Sequence, residues 1–171
     1  MKNKLIKIAL VGKSNAGKST LINSMVGETV SIINKKINTT QNLIIGITNL
    51  GDTQILFHDT PGSNFLYTKV FSQKKLKTNI WEAIEIVDYI LYIVDVFKYN
   101  YKNIYLDLIK ISESSKPIIF VFNKIDLIDN KYILPYIREL NELKLVDSFF
   151  NVSAKYKKGL DKLASFLKSR A

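Results

Sequence analysis

No cysteine occurs anywhere in the 171 residues. That absence excludes a disulfide scaffold, a thiolate zinc site, an iron–sulfur cluster and a cysteine nucleophile. His58 is the only histidine, so a multi-histidine metal site or a histidine relay has no residues to draw on. Arginine is scarce as well: the 25 cations are 23 Lys plus Arg138 and Arg170, against 15 acids. The forked guanidinium that reads base edges is therefore almost missing. A net charge of +10 still attracts nucleic acid or acidic lipid. Lys, Ile, Asn, Tyr and Phe are all plentiful, however, and that combination is what an AT-rich genome produces through codon bias. No apolar run is long enough for a membrane span: Leu5 to Val11 is about a third of one, and a glycine loop follows it. A secretory leader would need a longer apolar region. The cytoplasm is the expected place, and peripheral contact at the inner membrane is the one membrane association left open. No internal repeat, low-complexity tract or linker is visible.

What is present reads as one globular domain, with 47% hydrophobic and 23% charged residues. Short apolar runs alternate with helical patterns. Strands are expected over Leu5–Val11, Asn42–Thr48, Thr53–His58, Tyr89–Val94, Pro117–Phe122 and Ser148–Val152. Helices are expected over Lys18–Val26, Gln73–Val87, Asn103–Ser112, Tyr132–Leu143 and Leu160–Leu167. Leu106, Ile109 and Ile111 stand among the apolar positions of the third helix. Strand–helix alternation implies a mainly parallel sheet covered on both faces. Asn49-Leu50-Gly51-Asp52 suggests a hairpin, hence one antiparallel strand.

Four short motifs carry chemistry. Gly12-Lys13-Ser14-Asn15-Ala16-Gly17-Lys18-Ser19 has two glycines, four intervening residues, then Lys and Ser, with Thr20 next. A chance match in a chain of this composition is roughly one in two hundred. Glycines let backbone N–H groups wrap phosphate oxygens, and the following helix adds a positive N-terminus. Lys18 is placed to reach β- and γ-phosphates and Ser19 to ligate Mg²⁺. Asp59-Thr60-Pro61-Gly62 follows the third strand; the Asp can hold the metal through water, and Gly62 can offer its N–H to a γ-phosphate. Asn123-Lys124-Ile125-Asp126 ends the fifth strand. A carboxylate there accepts from both N1–H and the 2-amino group of guanine, a donor pair that adenine lacks. The Lys124 stem can lie over the base, and Asn123 can tie this loop to the phosphate loop. Ser153-Ala154-Lys155 follows the sixth strand, where a backbone N–H can bond the guanine O6. All four stand at carboxyl ends of strands, where open α/β sheets place ligands.

With these motifs in place, the chain resembles the translation-factor-class GTPases, and within them the Era-type G domains. Gly27-Glu28, Ser31-Ile32, Asn38-Thr39-Thr40 with Ile45-Gly46-Ile47, and Asp59-Thr60-Pro61-Gly62 carry the closer likeness. The resemblance implies a Ras-like α/β fold: six strands in the order 2-3-1-4-5-6, the second antiparallel, with about five helices. It implies a single G domain over residues 1–171. No Gly-x-x-Gly occurs to supply the RNA clamp of a KH domain. The implied function is a GTP/GDP switch with slow Mg²⁺-dependent hydrolysis, acting in small-subunit ribosomal RNA maturation. The implied partners are guanine nucleotide and the small ribosomal subunit or its RNA, with the protein a monomer.

The resemblance places a first switch at about Ser31 to Gln41, with Thr40 the γ-phosphate and Mg²⁺ ligand and Thr39 the second choice. Lys18, Thr40 and Gly62 then form the catalytic set, with Ser19, Thr40 and Asp59 around Mg²⁺. Asn15 matches a residue that binds K⁺ in related GTPases. Two positions depart from the pattern: Gln41 stands where Arg is usual, and Ser63 where a water-orienting Gln or an apolar residue is usual. No side chain is an obvious base, which implies slow turnover. Two readings stay open beside the Era-type switch: a G domain that binds nucleotide without productive turnover, and one of the tRNA-modifying MnmE type. The latter typically has Gly-Thr-Thr-Arg-Asp and Asp-Thr-Ala-Gly, which are missing here. Lys69, Lys74, Lys75 and Lys77 make one basic cluster, and Lys155, Lys157, Lys158 and Lys162 another.

Overall fold

The computed structural model describes residues 4–26 and 45–171. Six strands form one sheet in the order β2-β3-β1-β4-β5-β6. They are β1 (Lys4–Val11), β2 (Ile45–Leu50), β3 (Thr53–Asp59), β4 (Tyr89–Asp95), β5 (Ile118–Asn123) and β6 (Ser148–Asn151). Among the described residues, five α-helices accompany them: α1 (Lys18–Val26), α2 (Lys74–Glu85), α3 (Tyr101–Ser112), α4 (Ile133–Asn141) and α5 (Leu160–Ser169). Among the described strands, the β2–β3 pair alone is antiparallel, with Leu50 opposite Thr53 across the tight turn at Gly51. The pairs β1–β3, β1–β4, β4–β5 and β5–β6 are parallel. The expected strand order and the single antiparallel strand are thus both observed.

Period-2 alternation explains why the sheet is covered on both faces. In β4, Leu91 and Ile93 pack with α1 and α5, while Ile90, Tyr92 and Val94 pack with α2, α3 and α4. In β5, Ile119 and Val121 face the first layer, and Ile118, Phe120 and Phe122 the second. Each fully buried large apolar side chain contributes about 1.5–3 kcal/mol. None of the described helices is long and apolar enough to cross a membrane.

One helix turns differently from its expected face. In α3 the buried residues are Ile104, Asp107, Leu108 and Ile111, whereas Leu106 and Ile109 are 45% and 42% exposed. Ile104, Leu108 and Ile111 follow an i, i+4, i+7 stripe, and this stripe sets the rotation of the helix. An acid within the stripe and two leucine-like residues outside it hide that face from a composition-based reading. The segment between β3 and α2 is also more structured than a loop, with 3₁₀ turns at Ser63–Tyr67 and Phe71–Gln73.

Candidate nucleotide site

The loop between β1 and α1 is built to face an anion. The Ala16 N–H donates to Lys13 O at 3.1 Å, and the Leu21 N–H donates to Gly17 O at 2.9 Å as α1 begins. Gly17 has φ +97°, and a β-carbon there would lie 2.3 Å from Asn123 Nδ2, so any other residue would be strained and would displace the Asn123 amide. Asn15 is also left-handed, at φ +66°. The first turn of α1 holds no acid, so its positive end is not neutralised from within. Lys18 lies over this loop, only 8% exposed, and its Nζ donates to Gly12 O and Lys13 O, each at 3.2 Å. Burial lowers the Lys18 pKa from the usual lysine range, and the charge of Asp59 works against that shift. A phosphate would supply the negative charge that burial denies the ammonium.

Asp59 ends β3 beside this loop. Its Oδ2 accepts from the Ser19 hydroxyl at 2.8 Å. Its Oδ1 is buried and has no hydrogen-bond partner among the described residues. An orphaned carboxylate oxygen next to a serine hydroxyl fits a small hard cation that keeps most of its ligands as water and phosphate. Mg²⁺ is such a cation, and Ser19 and Asp59 would hold it. The Thr60 hydroxyl donates to Leu10 O at 2.6 Å, fastening the end of β3 to β1. Past Pro61 and Gly62, the Ser63 N–H donates to Gly12 O at 2.8 Å.

The ends of β5 and β6 form the other side. Asn123 is buried; its Nδ2 donates to Ala16 O at 2.9 Å, and its Oδ1 accepts from the Ala154 N–H at 3.0 Å. Lys124, left-handed at φ +63°, sends its Nζ to Asn15 O at 2.9 Å and to Asp95 Oδ2 at 2.8 Å. The Ser153 hydroxyl donates to Asp126 Oδ1. Gly17, Thr20, Asn123, Lys124, Asp126, Ala154 and Lys155 border one cavity at this end. The Ser153 N–H is bonded to Lys158 O, and that of Ala154 to Asn123. Both amides are occupied, so a main-chain donor to a base would come from Lys155.

Residues 7–124 match the family model described as 50S ribosome-binding GTPase. The chain belongs to this GTPase family. Among curated relatives, the GTPase Era of Nitratidesulfovibrio vulgaris (strain DP4) is 36% identical over 163 residues, covering 91% of this chain and 52% of the relative. The chain thus spans about half the length of the curated relatives it matches. A crystal structure of Era with MgGDPNP and nucleotides 1506–1542 of 16S ribosomal RNA superimposes with a TM-score of 0.77 at 34% identity, over 96% of this chain and 56% of that one. Aquifex aeolicus Era bound to GDP and AlF4⁻ superimposes with a TM-score of 0.79 at 32% identity, over 96% and 56%.

In this member of the GTPase family, three of the expected site segments meet directly. The Gly12 to Thr20 loop is the hub: it bonds to Asp59 through Ser19 and to Asn123 and Lys124 through Ala16 and Asn15, and Ser153 to Lys155 join through Asn123 and Asp126. The expected first switch, with Thr39, Thr40 and Gln41, and the motif pieces Gly27-Glu28 and Ser31-Ile32 lie outside the described residues. His58 points into the protein. It is 5% exposed, and its Nδ1 has no partner among the described residues. Burial, with Lys7 as a second cause, lowers its pKa. Two acids escaped the sequence reading: Asp95, which anchors Lys124, and Asp107, which anchors Ser63. The end of β4 is a position where a ligand-directed acid can be sought; Asp107 carries no local signal.

Proposed function

We propose that the 171 residues form one Era-type G domain that binds GTP and GDP with Mg²⁺ and hydrolyses GTP slowly. The observation that carries this reading is the pair of bonds made by buried Asn123. They fasten the phosphate loop to the 153–155 loop, so a phosphate cradle and a purine reader share one frame. In the mechanism, Lys18 and the amides from Gly12 to Thr20 stabilise charge on the β,γ-bridge and γ-oxygens. Ser19, Asp59 and Thr40 would hold Mg²⁺, and the ion would supply charge neutralisation for the β- and γ-phosphates. Gly62 and Thr40 would contact the γ-phosphate, and its loss would release the first switch and the segment that follows Asp59. The free side of Asp126 accepts from guanine N1–H and the 2-amino group. Asn15 contributes to a K⁺ site beside the phosphates.

The partner is the small ribosomal subunit or its RNA, by likeness to an Era structure that contains 16S ribosomal RNA. The setting is the cytoplasm, with inner-membrane contact at most peripheral. A second reading, nucleotide binding without productive turnover, is favoured by one observation: the Ser63 side chain is buried and bonded to Asp107, so it orients no water. Measuring phosphate release in Mg²⁺ with KCl or NaCl separates the two. Turnover that rises in KCl supports the switch; none in either salt leaves the binding module. Sedimentation with small ribosomal subunits tests the partner, and absence of co-sedimentation in every nucleotide state removes it.

A further inference from the structure

The residue after Gly62 is held from two directions. The Ser63 N–H donates to Gly12 O, and its hydroxyl donates to Asp107 Oδ2 at 2.7 Å. The same carboxylate oxygen accepts from the Tyr92 hydroxyl of β4 at 2.5 Å. Asp107 is 3% exposed on the apolar stripe of α3, and none of the described ion pairs involves it. A buried carboxylate without a cation is costly unless hydroxyls or amides satisfy it. Here two hydroxyls do, and one of them belongs to the segment that follows the γ-phosphate ligand. Tyr67, at the far end of the same 3₁₀ turn, feels the same group. Burial first, and the Asp107 charge second, push its hydroxyl above the usual tyrosine range. Gly62 itself lies against the phosphate loop: a β-carbon there would come within 2.4 Å of Ser14 Oγ and 2.9 Å of Ser14 N.

We propose that Asp107 is a positioning residue for the triphosphate: by pinning Ser63, it presets the Gly62 amide against the phosphate loop. The proposal rests on the GTP reading above. With the pin, a γ-phosphate meets an amide that needs little further ordering. Without it, residues 61–67 must be ordered on binding. That cost falls on the triphosphate alone, because a diphosphate does not reach Gly62.

The test is titration of a fluorescent GDP and a fluorescent non-hydrolysable GTP analogue, in Mg²⁺, into the wild-type chain, Ser63→Ala, Asp107→Asn and the double variant. Thermal melting of each reports folding separately. Ser63→Ala is expected to weaken the analogue by about three- to tenfold and to leave GDP within about twofold. Asp107→Asn keeps one acceptor oxygen and shifts the ratio less, in the same direction. The double variant is expected to lose no more than Ser63→Ala, because both changes remove one interaction. A lower melting temperature with an unchanged analogue-to-GDP ratio overturns the proposal, as do equal losses for both nucleotides or tighter analogue binding. A wild-type chain that binds neither nucleotide overturns the GTP reading, and the proposal with it.

Discussion

On the side of the site built from β5 and β6, the protein bonds its own polar groups to one another. Asn123 uses both ends of its amide, Lys124 bonds a carbonyl and a carboxylate, and Asp126 accepts from Ser153. On the side built from β3, Asp59 Oδ1 is buried without a partner among the described residues, where Lys18 makes two long bonds to carbonyls. The first side is finished without a ligand and can act as a fixed gauge for a base. The second is electrostatically incomplete and has the most to gain from phosphate and metal. On the proposed reading, recognition falls to the finished side and switching to the incomplete one.

The largest test of that contrast is Lys18→Ala. Removing a buried ammonium from the incomplete side should lower triphosphate affinity by about a thousandfold, read by nucleotide titration, with little change in melting temperature. A large loss of stability with near-normal binding would reverse the contrast. Asn123→Ala should behave in the opposite way. Two buried hydrogen bonds disappear, so chemical denaturation should record a loss of about 2–3 kcal/mol even without nucleotide. Asp126→Asn should cost roughly tenfold in GDP affinity and improve binding of xanthine nucleotides, as measured by competition. Unchanged guanine preference would remove the base-reading role.

The smallest effect concerns His58. Its native pKa lies below the unfolded value, so the unfolded chain takes up the proton first. The resulting stability is complete above the ordinary histidine pKa and is lost as pH falls through the lowered native value. His58→Gln should therefore show a flatter fall in melting temperature between about pH 7 and pH 5, by about 2–4 °C. Identical pH profiles would show that other groups govern this range.

The finished side was largely legible before any coordinates. Guanine recognition needs an Asn, a Lys and an Asp at fixed spacing after a strand, and each type is identifiable from its chemistry. The same holds for Lys18, Ser19 and Asp59. The strand order came from the resemblance to Era-type G domains, whereas the one antiparallel strand was legible from the turn residues Asn49 to Asp52. The contacts that were not legible join residues far apart in the chain. Asp95 meets Lys124 because β4 and β5 run in register, Asp95 opposite Asn123. Asp107 meets Ser63 because α3 turns an acid inward, against the polarity rule used to read its face. Leu106 and Ile109 misled for the same reason, since apolar residues often remain exposed.

The site collects residues from the ends of β1, β3, β5 and β6 and leans on Asp95 of β4. In the chain, these ends are separated by tens of residues, so no fragment of the sheet presents a competent nucleotide pocket. A ligand that binds only the completed assembly adds its binding free energy to folding, by about 2.7 kcal/mol at a hundred times its dissociation constant. Cellular guanine nucleotide would then do more than set the state of a switch. It would set how much of this chain is folded at any moment, and so how long the chain survives proteolysis.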